Sequence, residues 1–269
     1  MTGGRDYDVA FHRGRRGLLR ATIGLGVGVL LPATALAQLV EVVPRIKPSV
    51  LAVGTFQRTR NPSFAFRGTG FAVGNGRLIA TNAHVLPAVL DEARMETLAV
   101  AVPGPRGGTA AVRPATLAAR DEGRDLALLR IEGEPIPALP LDGEALVREG
   151  QDIAFTGFPI GNALGFAAVT HRGIIAAITP IGIPQDRARE LNPALIRRLG
   201  TDPFDVYQLD ATAYPGNSGS PVFDPQNGRV IGIVNMVFVK STKENVLSDP
   251  SGISYAIPVR HLREMLARL

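Results

Sequence analysis

The sequence predicts an all-β fold of antiparallel barrels closed by one C-terminal helix, on three observations. Short apolar runs recur between glycine and proline breaks: Val50–Phe56, Gly70–Val73, Arg77–Thr81, Leu126–Ile131, Asp152–Gly157, Val206–Asp210 and Val230–Val239. Runs of this length and spacing suit barrel strands. Helical periodicity is scarce, with only a short helical turn expected within 86–97. The tail is the exception, because Val259, Leu262, Met265, Leu266 and Leu269 fall on one face of a helix spanning 258–269.

Taken in order, residues 1–37 are unlike the rest. A basic stretch, Arg13-Gly-Arg-Arg-Gly-Leu-Leu-Arg20, precedes an apolar core from Ala21 to Leu31 and the small-residue pattern Ala35-Leu-Ala37. That order is a secretory signal, and its core is too short for a comfortable membrane span. Arg15-Arg16 resembles a twin-arginine signal, and the general secretion route is the alternative. The expected localisation is therefore periplasmic or secreted. Cleavage after Ala37 leaves residues 38–269, enough for one two-barrel domain. No stable membrane span is expected after cleavage.

The first barrel is expected at about 45–131 and the second at about 151–257. The Pro-rich stretch Glu134-Pro-Ile-Pro-Ala-Leu-Pro140 is the expected crossing between them. Two polar stretches, 180–200 and 240–252, read as surface loops.

Composition excludes several classes. There is no cysteine, which removes thiolate catalysis and Cys-ligated zinc. No His/Asp/Glu cluster has metal-ligand spacing, so neither metal nor cofactor is expected. The formal net charge is +5, but five basic and two acidic residues lie in the leader. Without a basic stripe interleaved with aromatics, no nucleic-acid partner is expected.

The chemistry concentrates in Ala213-Tyr-Pro-Gly-Asn-Ser-Gly-Ser-Pro221. Ser218 sits in a glycine-flanked turn, and a serine hydroxyl needs both a base and donors for the oxyanion it creates. The backbone N–H groups of Gly216 and Ser218 are the candidate donors. Histidine is the usual base near neutral pH. His12 lies in the leader and His261 in the C-terminal helix, which leaves His84 and His171. His84 is favoured because it ends an apolar strand at a small-residue turn. Asp125, preceding the run Leu126–Ile131, is the candidate orienting carboxylate, and the order His84, Asp125, Ser218 is a known triad order.

With these residues in place the chain resembles the trypsin-like serine proteases of the chymotrypsin fold, and within them the bacterial HtrA/Deg proteases. The resemblance is carried by Gly68-Thr-Gly-Phe71, Ala80-Thr-Asn-Ala-His-Val85, Asp125-Leu-Ala-Leu-Leu129, Gly157-Phe-Pro-Ile-Gly161, Gly216-Asn-Ser-Gly219 and Val230-Ile-Gly-Ile233. It implies two six-stranded antiparallel barrels with the site between them, Ser218 as nucleophile, His84 as general base and then acid, and Asp125 as orienting carboxylate. It implies an exported endopeptidase acting on unfolded or exposed polypeptide in protein quality control, and homo-trimers are common among such proteins. The alternative is a polypeptide-binding or chaperone-like module of latent or low activity.

The departures matter too. Ser220 stands where the family usually has a second glycine, and its side chain is expected to be tolerated, with a tighter turn as the alternative. The chain ends at Leu269, so no PDZ domain is expected within it. Thr212, six residues before Ser218, occupies the floor position of the primary pocket in the family. Threonine offers no charge for a basic side chain, so small to medium apolar P1 residues are expected. His171 as a pocket residue favouring acidic P1 groups is a lesser alternative. Asn235 is expected to pair with substrate backbone. Asn217 is uncharged where trypsin-type activation needs an aspartate, so activation by zymogen cleavage is not expected.

Overall fold

The computed structural model describes residues 34–104, 109–159, 167–180, 204–235 and 253–269. The chain divides into two units, Met1–Pro32 and Ala33–Leu269, and all the described residues belong to the second. The leader up to residue 33 and the loops expected at 181–200 and 240–252 lie outside the described residues.

Twelve strands form two closed barrels of six. The first holds β1 (Val50–Phe56), β2 (Phe64–Val73), β3 (Leu78–Thr81), β4 (Thr97–Pro103), β5 (Thr109–Asp121) and β6 (Leu126–Ile131), in the order β1-β2-β3-β6-β5-β4. The second holds β7 (Asp152–Gly157), β8 (Val169–Pro180), β9 (Asp205–Asp210), β10 (Pro221–Phe223), β11 (Val230–Asn235) and β12 (Ile253–Pro258), in the order β10-β11-β12-β9-β8-β7. Every pairing between these strands is antiparallel, as the expected fold class requires.

The continuous apolar runs have a simple cause. Successive side chains of a strand point to opposite faces, and here both faces are covered. Leu51 and Val53 of β1 fill the interior of barrel one, while Val50 and Ala52 belong to a cluster shared with barrel two. In β6, Ala127, Leu129 and Ile131 point inward, while Leu126 and Leu128 join the shared cluster. Ile153 and Phe155 of β7 fill barrel two, and Ala154 turns to the shared cluster. Ala154, Phe223, Val230 and Ile233 meet Phe71, Val73 and Leu128 there, so the seam between the barrels is itself a hydrophobic core.

The crossing segment is stitched to both sides. Leu139 N–H donates to Ala72 O and Val230 N–H to Pro140 O, and the Leu139 side chain is buried in the shared cluster. Two helices complete that cluster. α1 (Thr34–Ile46) contributes Val42 and Ile46, and α2 (Val259–Leu266) contributes Val259, Leu262 and Met265. α1 was not expected, and its backbone runs across Ala35–Ala37. α2 stops short of the expected limit, leaving a turn as the last residues. The segment 86–97 holds a 3₁₀ turn at Glu92–Arg94, capped by the Asp91 side chain.

α2 carries an acid-sensitive group. His261 is buried, edge-on to the Phe204 ring at 5.1 Å, with Glu264 3.8 Å away. Burial, with help from Arg124 and Arg260, pushes its pKa from the ordinary 6.5 down to about 4. Between those values the unfolded chain binds a proton that the folded protein does not, so stability is full above pH 6.5 and falls as the pH drops toward 4. The loss expected is on the order of 3 kcal/mol. Thermal melts of wild type and His261→Gln between pH 7 and 4.5 check this. The wild-type midpoint should fall more steeply than that of the variant, and parallel curves would refute it.

Candidate active site

The topology brings the candidate residues together. β3 and β6 are antiparallel neighbours, pairing Thr81 with Ala127, so the exit of β3 lies beside the entry of β6. His84 sits on a 3₁₀ turn, Ala83–Val85, just after β3, and Asp125 immediately precedes β6. Asp125 adopts φ +52°, a left-handed conformation that Asp tolerates better than most residues. Its carbonyl accepts from Ala83 N–H and from Asn82 Nδ2, each at 3.1 Å, which fixes the two turns against each other.

The Asp125 carboxylate is an acceptor for three donors. Oδ1 takes the backbone N–H of His84 at 2.8 Å. Oδ2 lies 2.6 Å from His84 Nδ1 and accepts from Asn235 Nδ2 at 2.7 Å. A carboxylate facing Nδ1 sets the tautomer, with the proton on Nδ1 and the lone pair on Nε2. His84 Nε2 lies 3.0 Å from Ser218 Oγ, within reach for proton transfer. His84 and Asp125 come from barrel one, and Ser218 and Asn235 from barrel two.

Ser218 is held by two consecutive turns. Asn217 N–H donates to Tyr214 O and Ser220 N–H to Asn217 O, each at 2.9 Å. Gly216 (φ +103°) and Gly219 (φ +89°) occupy the third positions, where a positive φ selects glycine. A Cβ on Gly216 would also sit 2.3 Å from Phe158 O. Among the described residues, neither the Gly216 nor the Ser218 N–H finds an acceptor. These are the two N–H groups expected to face an oxyanion. Ser218 is 6% exposed at the floor of a site whose His84 side chain remains 31% exposed.

Other expected residues are placed as follows. Ser220 is fully buried against Gly157, where a Cβ would come within 2.0 Å of its Oγ, so the absent side chain at 157 makes room for the added one at 220. Thr212 is half-buried between Ala211 and Ala213, whose backbone is clipped by Ser254: its Oγ donates to Ala211 O and accepts from Ala213 N–H. His171 is stacked on Phe155 at 4.9 Å and lies 6.1 Å from the Tyr214 ring, and burial lowers its pKa. Asn235, the residue expected to pair with substrate backbone, is the last residue of β11. It is fully buried and donates to Asp125, a role missed in the sequence because it depends on the end of β11 meeting the start of β6 across the seam. Among the described residues no group of three or more His, Cys, Asp or Glu could hold a metal ion.

Comparison with known proteins agrees with this geometry. A model of the trypsin-like peptidase domain matches residues 68–233, which contain His84, Asp125 and Ser218, and Asn235 lies two residues beyond its end. The chain is 34% identical over 205 residues to the mitochondrial serine protease HTRA2 of Bos taurus, covering 75% of this chain and 36% of that protein. It is 30% identical over 233 residues to serine protease HTRA4 of Mus musculus, covering 84% and 39%. It is 31% identical over 196 residues to a probable periplasmic DegP-like serine endoprotease of Halomonas elongata, covering 71% and 32%. The chain thus spans well under half the length of these curated relatives. Fold, matched region and relatives agree: the chain belongs to the trypsin-like peptidase family, among the serine proteases of the HtrA type.

Proposed function

We propose that this protein is an exported serine endopeptidase that hydrolyses peptide bonds of unfolded or exposed polypeptide. The observation that carries the proposal is the continuous hydrogen-bonded line Asn235–Asp125–His84–Ser218, at 2.7, 2.6 and 3.0 Å. In this reading Ser218 Oγ attacks the scissile carbonyl as His84 Nε2 takes its proton. The carbonyl oxygen becomes an oxyanion between the N–H groups of Gly216 and Ser218. His84 then returns the proton to the leaving amine, and water repeats the sequence on the acyl-enzyme. Asp125, steadied by Asn235, holds the imidazole tautomer and stabilises the imidazolium.

Export is supported by the basic-apolar-small leader and by a relative described as periplasmic. Among the described residues no helix is long and apolar enough to cross a membrane. A role in quality control and assembly into trimers are further parts of the proposal, supported by the HtrA relationship alone. Preference for small to medium apolar P1 residues is supported by the uncharged Thr212.

The test is a fluorophosphonate probe on the chain from Gln38 to Leu269, read by mass spectrometry alongside a P1 peptide panel. Labelling confined to Ser218, with fastest cleavage after small apolar residues, is expected. Absence of labelling in a folded sample would overturn the activity, and fast cleavage after Arg or Lys would overturn the specificity.

A further inference from the structure

The motif Gly68-Thr69-Gly70 has no part in the chemistry above, yet its central residue reaches the nucleophile turn. Thr69 lies on β2 of barrel one and is fully buried. Its N–H donates to Ser218 O at 2.8 Å. Its hydroxyl donates to Gly216 O at 2.7 Å and accepts from Phe158 N–H at 3.1 Å. Its own carbonyl accepts from Thr81 Oγ1 at 2.7 Å, which fixes the strand behind it. The motif is open enough for this approach because a Cβ on Gly68 would stand 3.0 Å from Ser218 O and 2.7 Å from Val85.

We propose that Thr69 is a positioning residue: it clamps the carbonyls of Gly216 and Ser218 so that their N–H groups stay turned toward the substrate oxygen. The proposal rests on the protease reading above. The geometry gives the reason a clamp is needed. Gly216 has no Cβ, so the peptide linking it to Asn217 meets little torsional resistance to flipping. That peptide is pinned at both ends, by Tyr214 O on the Asn217 N–H and by the Thr69 hydroxyl on the Gly216 carbonyl. The following peptide carries the Ser218 N–H. It lies between that pinned unit and the one whose carbonyl, Ser218 O, is held by Thr69 N–H. A donor counts in the transition state only if it already points at the developing charge. Barrel one therefore supplies a brace for donors that belong to barrel two, in addition to the base and its carboxylate.

The hydroxyl separates this role from simple packing. Thr69→Val keeps the shape and loses both hydroxyl bonds, to Gly216 O and from Phe158 N–H, whereas Thr69→Ser keeps both and loses a methyl group. Thr69→Val is expected to lower kcat about 10- to 100-fold with KM for a cleaved peptide within about twofold. Affinity for a peptidyl trifluoromethyl ketone, which forms an oxyanion on Ser218, should fall by the same factor. Thr69→Ser should restore both to within about threefold. If Thr69→Val does not fold, Thr69→Ala serves as the second hydroxyl-free variant, with the same expectation. Equal impairment of Ser and Val variants would assign the effect to shape and overturn the proposal, as would full activity in a folded hydroxyl-free variant. If wild type cleaves no peptide, the protease reading fails. The clamp is then judged by the rate of fluorophosphonate labelling at Ser218, which must still drop in Thr69→Val and recover in Thr69→Ser.

Discussion

Ser218→Ala is expected to lower kcat by about 10⁴-fold or more while the melting temperature stays within a few degrees of wild type. The activity loss follows from the position of the hydroxyl. Among the described residues no other hydroxyl is hydrogen-bonded to His84 Nε2, so water must attack without a positioned nucleophile. The small effect on stability follows from the backbone. Ser218 O and the two turns around it are held by main-chain bonds that alanine retains. Residual turnover above the uncatalysed rate is still expected, because the donors of Gly216 and Ser218 remain. Peptide hydrolysis and a thermal melt on the same sample check the pair of outcomes. The variant also separates the two functional readings of the sequence. If it protects an unfolded substrate from aggregation as well as wild type, binding is the part that matters. If protection disappears with cleavage, catalysis is.

Asp125→Asn is expected to reduce kcat by about 10⁴-fold, nearly as much as removing the nucleophile. The carboxylate accepts three hydrogen bonds, two from His84 and one from Asn235. An amide has one acceptor oxygen and one NH₂ group. If its oxygen takes the place of Oδ1, its NH₂ faces both His84 Nδ1 and the Asn235 NH₂. The imidazole then answers by placing its proton on Nε2, where no base remains for Ser218. If the amide flips, the His84 N–H loses its acceptor and the 3₁₀ turn loosens. Either arrangement breaks the line to the serine. Fluorophosphonate labelling should slow in parallel with kcat. Wild-type activity in Asp125→Asn would show that the imidazole is oriented by other groups.

How much of this was legible beforehand varies with the kind of interaction. The strands buried on both faces, such as β1 and β6, announce themselves as unbroken apolar runs. β5 and β8 do not. Thr109–Asp121 is rich in Ala and Arg with a proline inside, and Val169–Pro180 mixes histidine, arginine and glycine with its apolar residues. Both strands form because their neighbours offer two open edges, which is a tertiary fact. Helix α1 escaped for a related reason: it overlaps a stretch that looks like the end of a leader, and its helical character is fixed by Val42 and Ile46 docking on the shared core.

The candidate site shows the same division. His84, Asp125 and Ser218 could be picked out because each sits in a local pattern, a turn or strand end, that frees its side chain. Asn235 and Thr69 could not be assigned from local pattern. Asn235 finishes an apolar strand and Thr69 lies inside one, and each acquires its role only by meeting a partner in the other barrel. The room that Gly157 leaves for Ser220 is also a cross-strand relation, invisible when either position is read alone.

The seam that both barrels share has a consequence for the order of events during synthesis. The ribosome releases His84 and Asp125 long before residue 218 exists. N-terminal units generally fold first, so a completed first barrel holds a base with nothing to activate. Ser218, Asn235 and the Gly216 and Ser218 N–H groups that are unpaired among the described residues arrive with the second barrel, and the line of hydrogen bonds closes only when that barrel docks. The ribosome's surroundings therefore meet an inert polypeptide while the chain is being made. Destructive chemistry is deferred to the last step of folding by the division of labour along the chain.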